Sequence, residues 1–170
     1  PTQMMGETFI GNPLFSVIYP LNFLFIIFPV NYGAIVYLFL HSLIALFSTS
    51  LLAKTFNFSK LESIACGIFY AFSIKFLLHL TAGHITMLAA YSYFPLVFFS
   101  IRKFFSKREF IYLVLGSFSL AAMYITYPSI FYFSVIFVIY YSTYFSWKAY
   151  FQKKASLLSS LKIVAFPVIC

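Results

Sequence analysis

Aspartate is absent from this sequence, and glutamate occurs only as Glu7, Glu62 and Glu109. So few carboxylates leave little for general acid–base catalysis. Charged residues of both signs make up 8% of the chain, about a third of the roughly 25% usual in soluble domains. The two cysteines, Cys66 and Cys170, lie in apolar stretches. They read as packing residues, because a disulfide framework needs exposed pairs and a zinc site needs a spacing such as C-x-x-C. No G-x-S-x-G, H-E-x-x-H or Walker loop occurs, so protease chemistry and ATP hydrolysis have no support. No signal peptide is visible. The chain opens at Pro1 and stops within a new apolar run at 165–170, which reads as an internal piece of a longer protein.

What is present is overwhelmingly apolar: 63% hydrophobic and 24% aromatic residues. That excludes disorder, which needs low hydrophobicity and high charge. The expected fold class is all-α, a polytopic transmembrane helix bundle forming a single transmembrane domain over 1–170. A spanning helix needs about 20 apolar residues. Full spans are expected at 32–53, 61–80, 85–101, 110–127 and 129–147, with a sixth cut off at 163–170. Residues 1–31 form an outer loop and a segment broken by Pro13, Pro20 and Pro29. Proline removes a backbone donor and bends or ends a helix, so this segment suits the membrane surface or a re-entrant path. Pro95 is expected to kink the third span and Pro128 to separate the fourth from the fifth.

Eleven Lys and Arg against three acids give a net charge of +8. In a soluble domain that balance would suggest nucleic acid. Here the cations sit in short tracts between apolar runs, the pattern of cytoplasmic loops, and no nucleic-acid partner is expected. Lys54 and Lys60 fall on one side with Arg102, Lys103, Lys107 and Arg108, and with Lys148, Lys153, Lys154 and Lys162. The positive-inside rule puts that side in the cytoplasm. The opposite face then receives residues 1–32, the turn at 81–84 and the Tyr127-Pro128 turn. Tyr32, Tyr112, Tyr124, Tyr127, Tyr144 and Trp147 fit an interfacial aromatic belt.

Ionisable groups inside a membrane are costly and mark candidate sites. Lys75 and His79 are four residues apart, one turn on a single helix face. His84 follows Gly83 where the next helix begins, and a helix N-terminus attracts anions. Together Lys75, His79 and His84 form a candidate binding site for a phosphate or pyrophosphate. The competing reading has Lys75 snorkelling to the headgroups, His79 at the interface and Gly83-His84 closing a turn. His41, in the middle of the first span, reads as one end of a buried interhelical hydrogen bond. Glu7, the only acid on the outer face, has the chemistry of a general base or of a ligand to a divalent metal. A lone loop glutamate is more commonly just solvated. No cofactor is visible, and no metal can be assigned to a set of residues.

Gly6-Glu7-Thr8-Phe9 through Asn12-Pro13, then Tyr19-Pro20-Leu21-Asn22, resembles the segment after the first outer loop of YfhO-like bacterial membrane proteins. These fall in the GT-C-type class of membrane glycosyltransferases. Gly67-Ile68-Phe69-Tyr70-Ala71-Phe72-Ser73 is similar to one of that family's helix signatures. Gly83-His84, Pro95-Leu96 and Arg102-Lys103 are similar to its next hairpin. The resemblance covers most of 6–108. It implies an integral membrane enzyme that takes a sugar from a polyprenyl-phosphate donor at the extracytoplasmic face of a bacterial or archaeal plasma membrane. The catalytic acid of that class would precede Pro1. Lys75, His79 and His84 would then stabilise the leaving phosphate, and membrane lipid and the lipid-linked sugar are the implied partners. A transporter or flippase for a polysaccharide or lipid precursor, and a non-catalytic membrane scaffold, are the alternatives.

Overall fold

The structure is a computed structural model that describes residues 16, 18–74, 78 and 83–151. Among them a 3-10 turn, Pro20–Phe23, leads into α1 (Leu24–Ile27), α2 (Val30–Lys54), α3 (Lys60–Ala71), α4 (Ile85–Lys107), α5 (Phe110–Thr126) and α6 (Pro128–Phe151). The expected helical bundle is the fold. α2, α4 and α6 are each long and apolar enough to cross a membrane, and α5 is a shorter apolar helix. The expected spans at 85–101 and 129–147 are exceeded, because α4 and α6 carry basic residues, Lys107 and Lys148, in or near their last turns. Cations are favoured at helix C-termini, where the carbonyl ends of the helix dipole point out. The expected sixth span at 163–170 lies outside the described residues.

The 61–80 span differs from expectation. Its helix starts at Lys60 and ends at Ala71. The start is legible: Ser59 accepts from the Glu62 N–H, while the Glu62 carboxylate accepts from the Ser59 N–H, a reciprocal capping box. The end is not, for Phe72-Ser73-Ile74 contains neither proline nor glycine. What holds that end is tertiary. The Tyr70 hydroxyl donates to the Tyr91 carbonyl of α4 at 2.8 Å.

That bond also answers a need in α4. The helix continues through Pro95. Pro95 has no N–H to offer the carbonyl one turn back, which is that of Tyr91. In a membrane such a carbonyl must find its donor within the protein, and Tyr70 provides one.

α4 packs along both α2 and α5 and also touches α6, while α3 lies on α2. Large side chains such as Tyr37, Leu88, Ile101, Leu120 and Met123 are buried in the core, but small polar residues fill many of the helix contacts and large apolar ones cover the outer face. Ser48, Ser63, Ser92, Ser100, Ser119, Ser134 and Ser142 are buried, while Phe39, Phe47, Phe110, Phe118, Phe133 and Ile136 are more than half exposed. A soluble protein rarely exposes so wide an apolar surface; in lipid it is the expected outer face. The hydroxyls are largely satisfied within their own helices, as in Ser50 to Leu46, Ser100 to Leu96, Ser119 to Leu115 and Ser134 to Ile130. A serine bonded in this way packs as a small residue and lets backbones approach. The buried residues of α3 are Ser63, Gly67 and Ala71, each four apart. On α6, Ile130, Ser134, Val138, Ser142 and Ser146 are buried at the same spacing. The α2–α3 crossing is tightest at Gly67, where a Cβ would stand 2.5 Å from the Leu46 carbonyl oxygen.

Two substitutions test these contacts. Gly67→Val forces α3 off α2 and should destabilise the bundle by about 1–3 kcal/mol, the usual cost of overpacking, read as a fall in Tm in detergent. Tyr70→Phe should cost about 1–3 kcal/mol by stripping a donor from a buried carbonyl. Its effect should largely vanish in a Pro95→Ala background, where the backbone regains the missing N–H. Equal losses in both backgrounds would show that the tyrosine does not serve the proline.

Candidate functional site

Helix direction gives the bundle two unlike ends. Lys54, Arg102, Lys103, Arg108 and Lys148 line one cavity, so the C-termini of α2, α4 and α6 share an end. Each of the three basic tracts grouped by the sequence contributes at least one cation there. Arg102 fastens that end. Its guanidinium donates to the Thr55 carbonyl at 2.8 Å and to the Tyr141 hydroxyl at 3.2 Å. It lies 3.9 Å from the centre of the Phe56 ring, within cation–π range. One side chain therefore ties the end of α2 to α4 and α6. The N-termini of α2 and α4 and the C-terminus of α5 lie at the other end, where the Ser16 hydroxyl donates to the Thr126 carbonyl at 3.0 Å.

Of the sequence-derived site residues, Glu7, Lys75 and His79 lie outside the described residues. His84 is described. It is exposed and immediately precedes α4 at the end away from the basic cavity. Gly83 before it has φ +76°, a left-handed conformation that glycine adopts without a Cβ penalty. The turn is closed by the Ile85 N–H on the Gly83 carbonyl at 2.9 Å. His41 stands about 17 Å along α2 from Val30 at 1.5 Å per residue. It therefore does not join His84 in one site.

His41 instead lies at the centre of a buried polar chain. Its Nδ1 is 2.7 Å from the Tyr37 carbonyl, and its Nε2 is 2.8 Å from the Tyr19 hydroxyl. The Tyr19 hydroxyl is also 2.7 Å from that of Tyr93. Directions follow from valence. A carbonyl only accepts, so Nδ1 carries the ring proton. Glu62 and Glu109, the described acids, sit toward the basic end, so among the described residues no carboxylate at this depth favours a second ring proton. Nε2 therefore accepts, the Tyr19 O–H donates to it, and the Tyr93 O–H donates to Tyr19. The Tyr37 ring packs against the imidazole with centroids 4.1 Å apart and planes tilted by 38°. The proline-broken segment does not simply lie on a surface: Tyr19 is buried and enters the bundle, while Phe23, Ile26 and Ile27 stay exposed. The expected hydrogen bond of His41 is present, but its side-chain partner is this segment and not another helix. Sequence reasoning missed Tyr19 and Tyr93, because a tyrosine in an aromatic-rich span is easily assigned to the interfacial belt. The available signal was Tyr19 preceding Pro20, a rigid entry point beside a mid-span histidine.

Among the described residues no group of three His, Cys, Asp or Glu side chains could hold a metal ion. No protein-family model, curated protein or solved structure matches the chain. The geometry defines its class: a multi-pass helical protein embedded in a membrane.

The chain of bonds predicts an order of effects. Tyr19→Phe removes the donor to His41 and the acceptor of Tyr93, and should cost about 2–4 kcal/mol for two buried groups left unpaired. Tyr93→Phe removes only the terminal donor and should cost about 1 kcal/mol. Thermal unfolding in detergent that reversed this order would contradict the assigned directions.

Proposed function

We propose that this chain is the membrane-embedded part of a glycosyltransferase-like protein of the YfhO-like, GT-C type, acting on a polyprenyl-phosphate-linked sugar. The basic end faces the cytoplasm of a bacterial or archaeal cell, and the opposite end faces the donor. The observation that supports this reading best is the position of His84. It precedes the first turn of α4, where backbone N–H groups lack intrahelical partners, at the end away from the basic loops. A phosphate leaving group there meets a helix dipole and an imidazole, and Lys75 and His79 are the further cations the sequence offers. Their work would be electrostatic: to stabilise charge on the departing phosphate as the glycosidic bond to it breaks. The base that deprotonates the acceptor hydroxyl is assigned to an acid before Pro1, with Glu7 as the weaker candidate.

A transporter or flippase is the second reading, and one observation favours it. The proline-broken segment enters the bundle and meets α2 and α4 near mid-depth through Tyr19, as discontinuous segments do in transporters.

Sugar transfer from a labelled polyprenyl-phosphate donor, measured in membranes holding the full-length protein, separates the two. His84→Ala and Lys75→Ala should each lower transfer about tenfold or more, the loss expected from one charge-assisted hydrogen bond, with expression unchanged. Full transfer in both variants removes these residues from the site. Substrate movement in proteoliposomes with no sugar transferred would establish the transporter reading instead.

A further inference from the structure

The cavity at the basic end has a volume of about 660 Å³ and is lined by Lys54, Arg102, Lys103, Arg108 and Lys148, with no carboxylate among its lining residues. This chain has little with which to neutralise it. Of its three acids, Glu7 lies outside the described residues, Glu62 caps α3 through Ser59, and Glu109 faces Lys107 at 3.9 Å. Residues 152–170 add Lys153, Lys154 and Lys162 and no acid. Arg102 contributes a further sign of an absent partner: its Nε is buried and has no hydrogen-bond partner among the described residues. Five cations held together in this way call for an anion from outside the chain.

A second feature narrows its chemistry. A groove of about 370 Å³ lies in the apolar part of the bundle, lined by Leu21, Leu40, Ile44, Phe47, Leu51 and Leu96 among others. On α2 the groove residues follow helical spacing down to Leu51. Lys54 and Thr55, three and four residues further on the same face, line the cavity. On α4, Lys103 lies two turns beyond Leu96. The apolar groove and the cationic cavity thus share α2 and α4, the groove toward the middle of the helices and the cavity at their C-terminal ends.

We infer that the cavity and groove together bind an anionic membrane lipid, its phosphodiester headgroup among Lys54, Arg102, Lys103, Arg108 and Lys148 and an acyl chain against Leu40, Ile44, Phe47 and Leu51. Basic pockets between transmembrane helices recognise such headgroups by charge and hydrogen bonding. Five cations exceed the charge of one phosphodiester, so a lipid with two phosphodiesters fits best. The site is at the opposite end of the bundle from His84 and is independent of the proposed transfer reaction.

Native mass spectrometry of the full-length protein in detergent tests this, with cardiolipin, phosphatidylglycerol, phosphatidylcholine and inorganic pyrophosphate added separately. Adducts should form in the order cardiolipin, then phosphatidylglycerol, with phosphatidylcholine far weaker. Lys103→Gln combined with Lys148→Gln should weaken cardiolipin about thirtyfold, for two surface cations removed. Lys103→Arg should retain binding, and Lys60→Gln, outside the cavity, should change little. Leu51→Asn in the groove should weaken cardiolipin and leave pyrophosphate unaffected. Unfolding of the double variant is checked by Tm, and the single Lys148→Gln variant, at an exposed position, then carries the test with a smaller loss in the same direction. Equal binding of phosphatidylcholine, or full cardiolipin binding by the folded lysine variants, overturns the proposal. Pyrophosphate binding as tightly as cardiolipin, with no effect of Leu51→Asn, overturns the lipid assignment in favour of a soluble phosphate.

Discussion

Polar groups at membrane depth have no water to turn to, and the architecture of this bundle follows from that constraint. Its sharpest expression is the chain from Tyr93 through Tyr19 and His41 to the Tyr37 carbonyl. Each hydroxyl or ring nitrogen in it is usable only because its neighbour is in place. The chain crosses three separate pieces of backbone, so it sets where the proline-broken segment enters and how α2 and α4 face each other. The bond between Tyr70 and the Tyr91 carbonyl obeys the same logic. A proline in a transmembrane helix creates a demand for a donor, and a neighbouring helix meets it.

Lipid outside the bundle removes the usual distinction between core and surface. Phenylalanine and isoleucine gain nothing by moving inward when the solvent is as apolar as they are. Close packing becomes the factor that decides which face turns in. Hence serine, alanine and glycine occupy many of the helix contacts, with hydroxyls folded back on the preceding turn, beside a core of Tyr37, Leu88, Ile101, Leu120 and Met123, while many other large side chains face out. Gly67 against Leu46 is the extreme case, because backbone approaches backbone with no room for a methyl group.

The two ends of the bundle carry different chemistry. One gathers the cations and is braced by Arg102, whose planar fork holds a carbonyl and a hydroxyl from two other segments. A lysine there would supply charge without that geometry. The other end holds the Gly83-His84 turn and the Ser16–Thr126 tie. An asymmetric molecule of this kind can treat the two leaflets differently, so the proposed sugar transfer and the proposed lipid site fall at opposite ends.

Membrane embedding, helical class, most helix boundaries and the grouping of the basic tracts were legible from the residues alone. Those properties add up along the chain: hydropathy over about 20 residues, charge per loop and the Ser59–Glu62 cap need no distant partner. The burial of His41 was legible for the same reason, since an imidazole in mid-span has to be satisfied somewhere. Its partner was not, because Tyr19, His41 and Tyr93 are joined only by folding. The early end of α3 at Ala71 was equally hidden, since no proline or glycine marks it and Tyr70 is held by a residue 21 positions away. The cationic cavity needed tertiary structure too. Charge counting put Lys54, Arg102 and Lys148 on one side of the membrane, but only the packing of α2, α4 and α6 brings them around a single space. Whether cations share a side depends on the number of crossings between them, whereas whether they share a pocket depends on which helices touch.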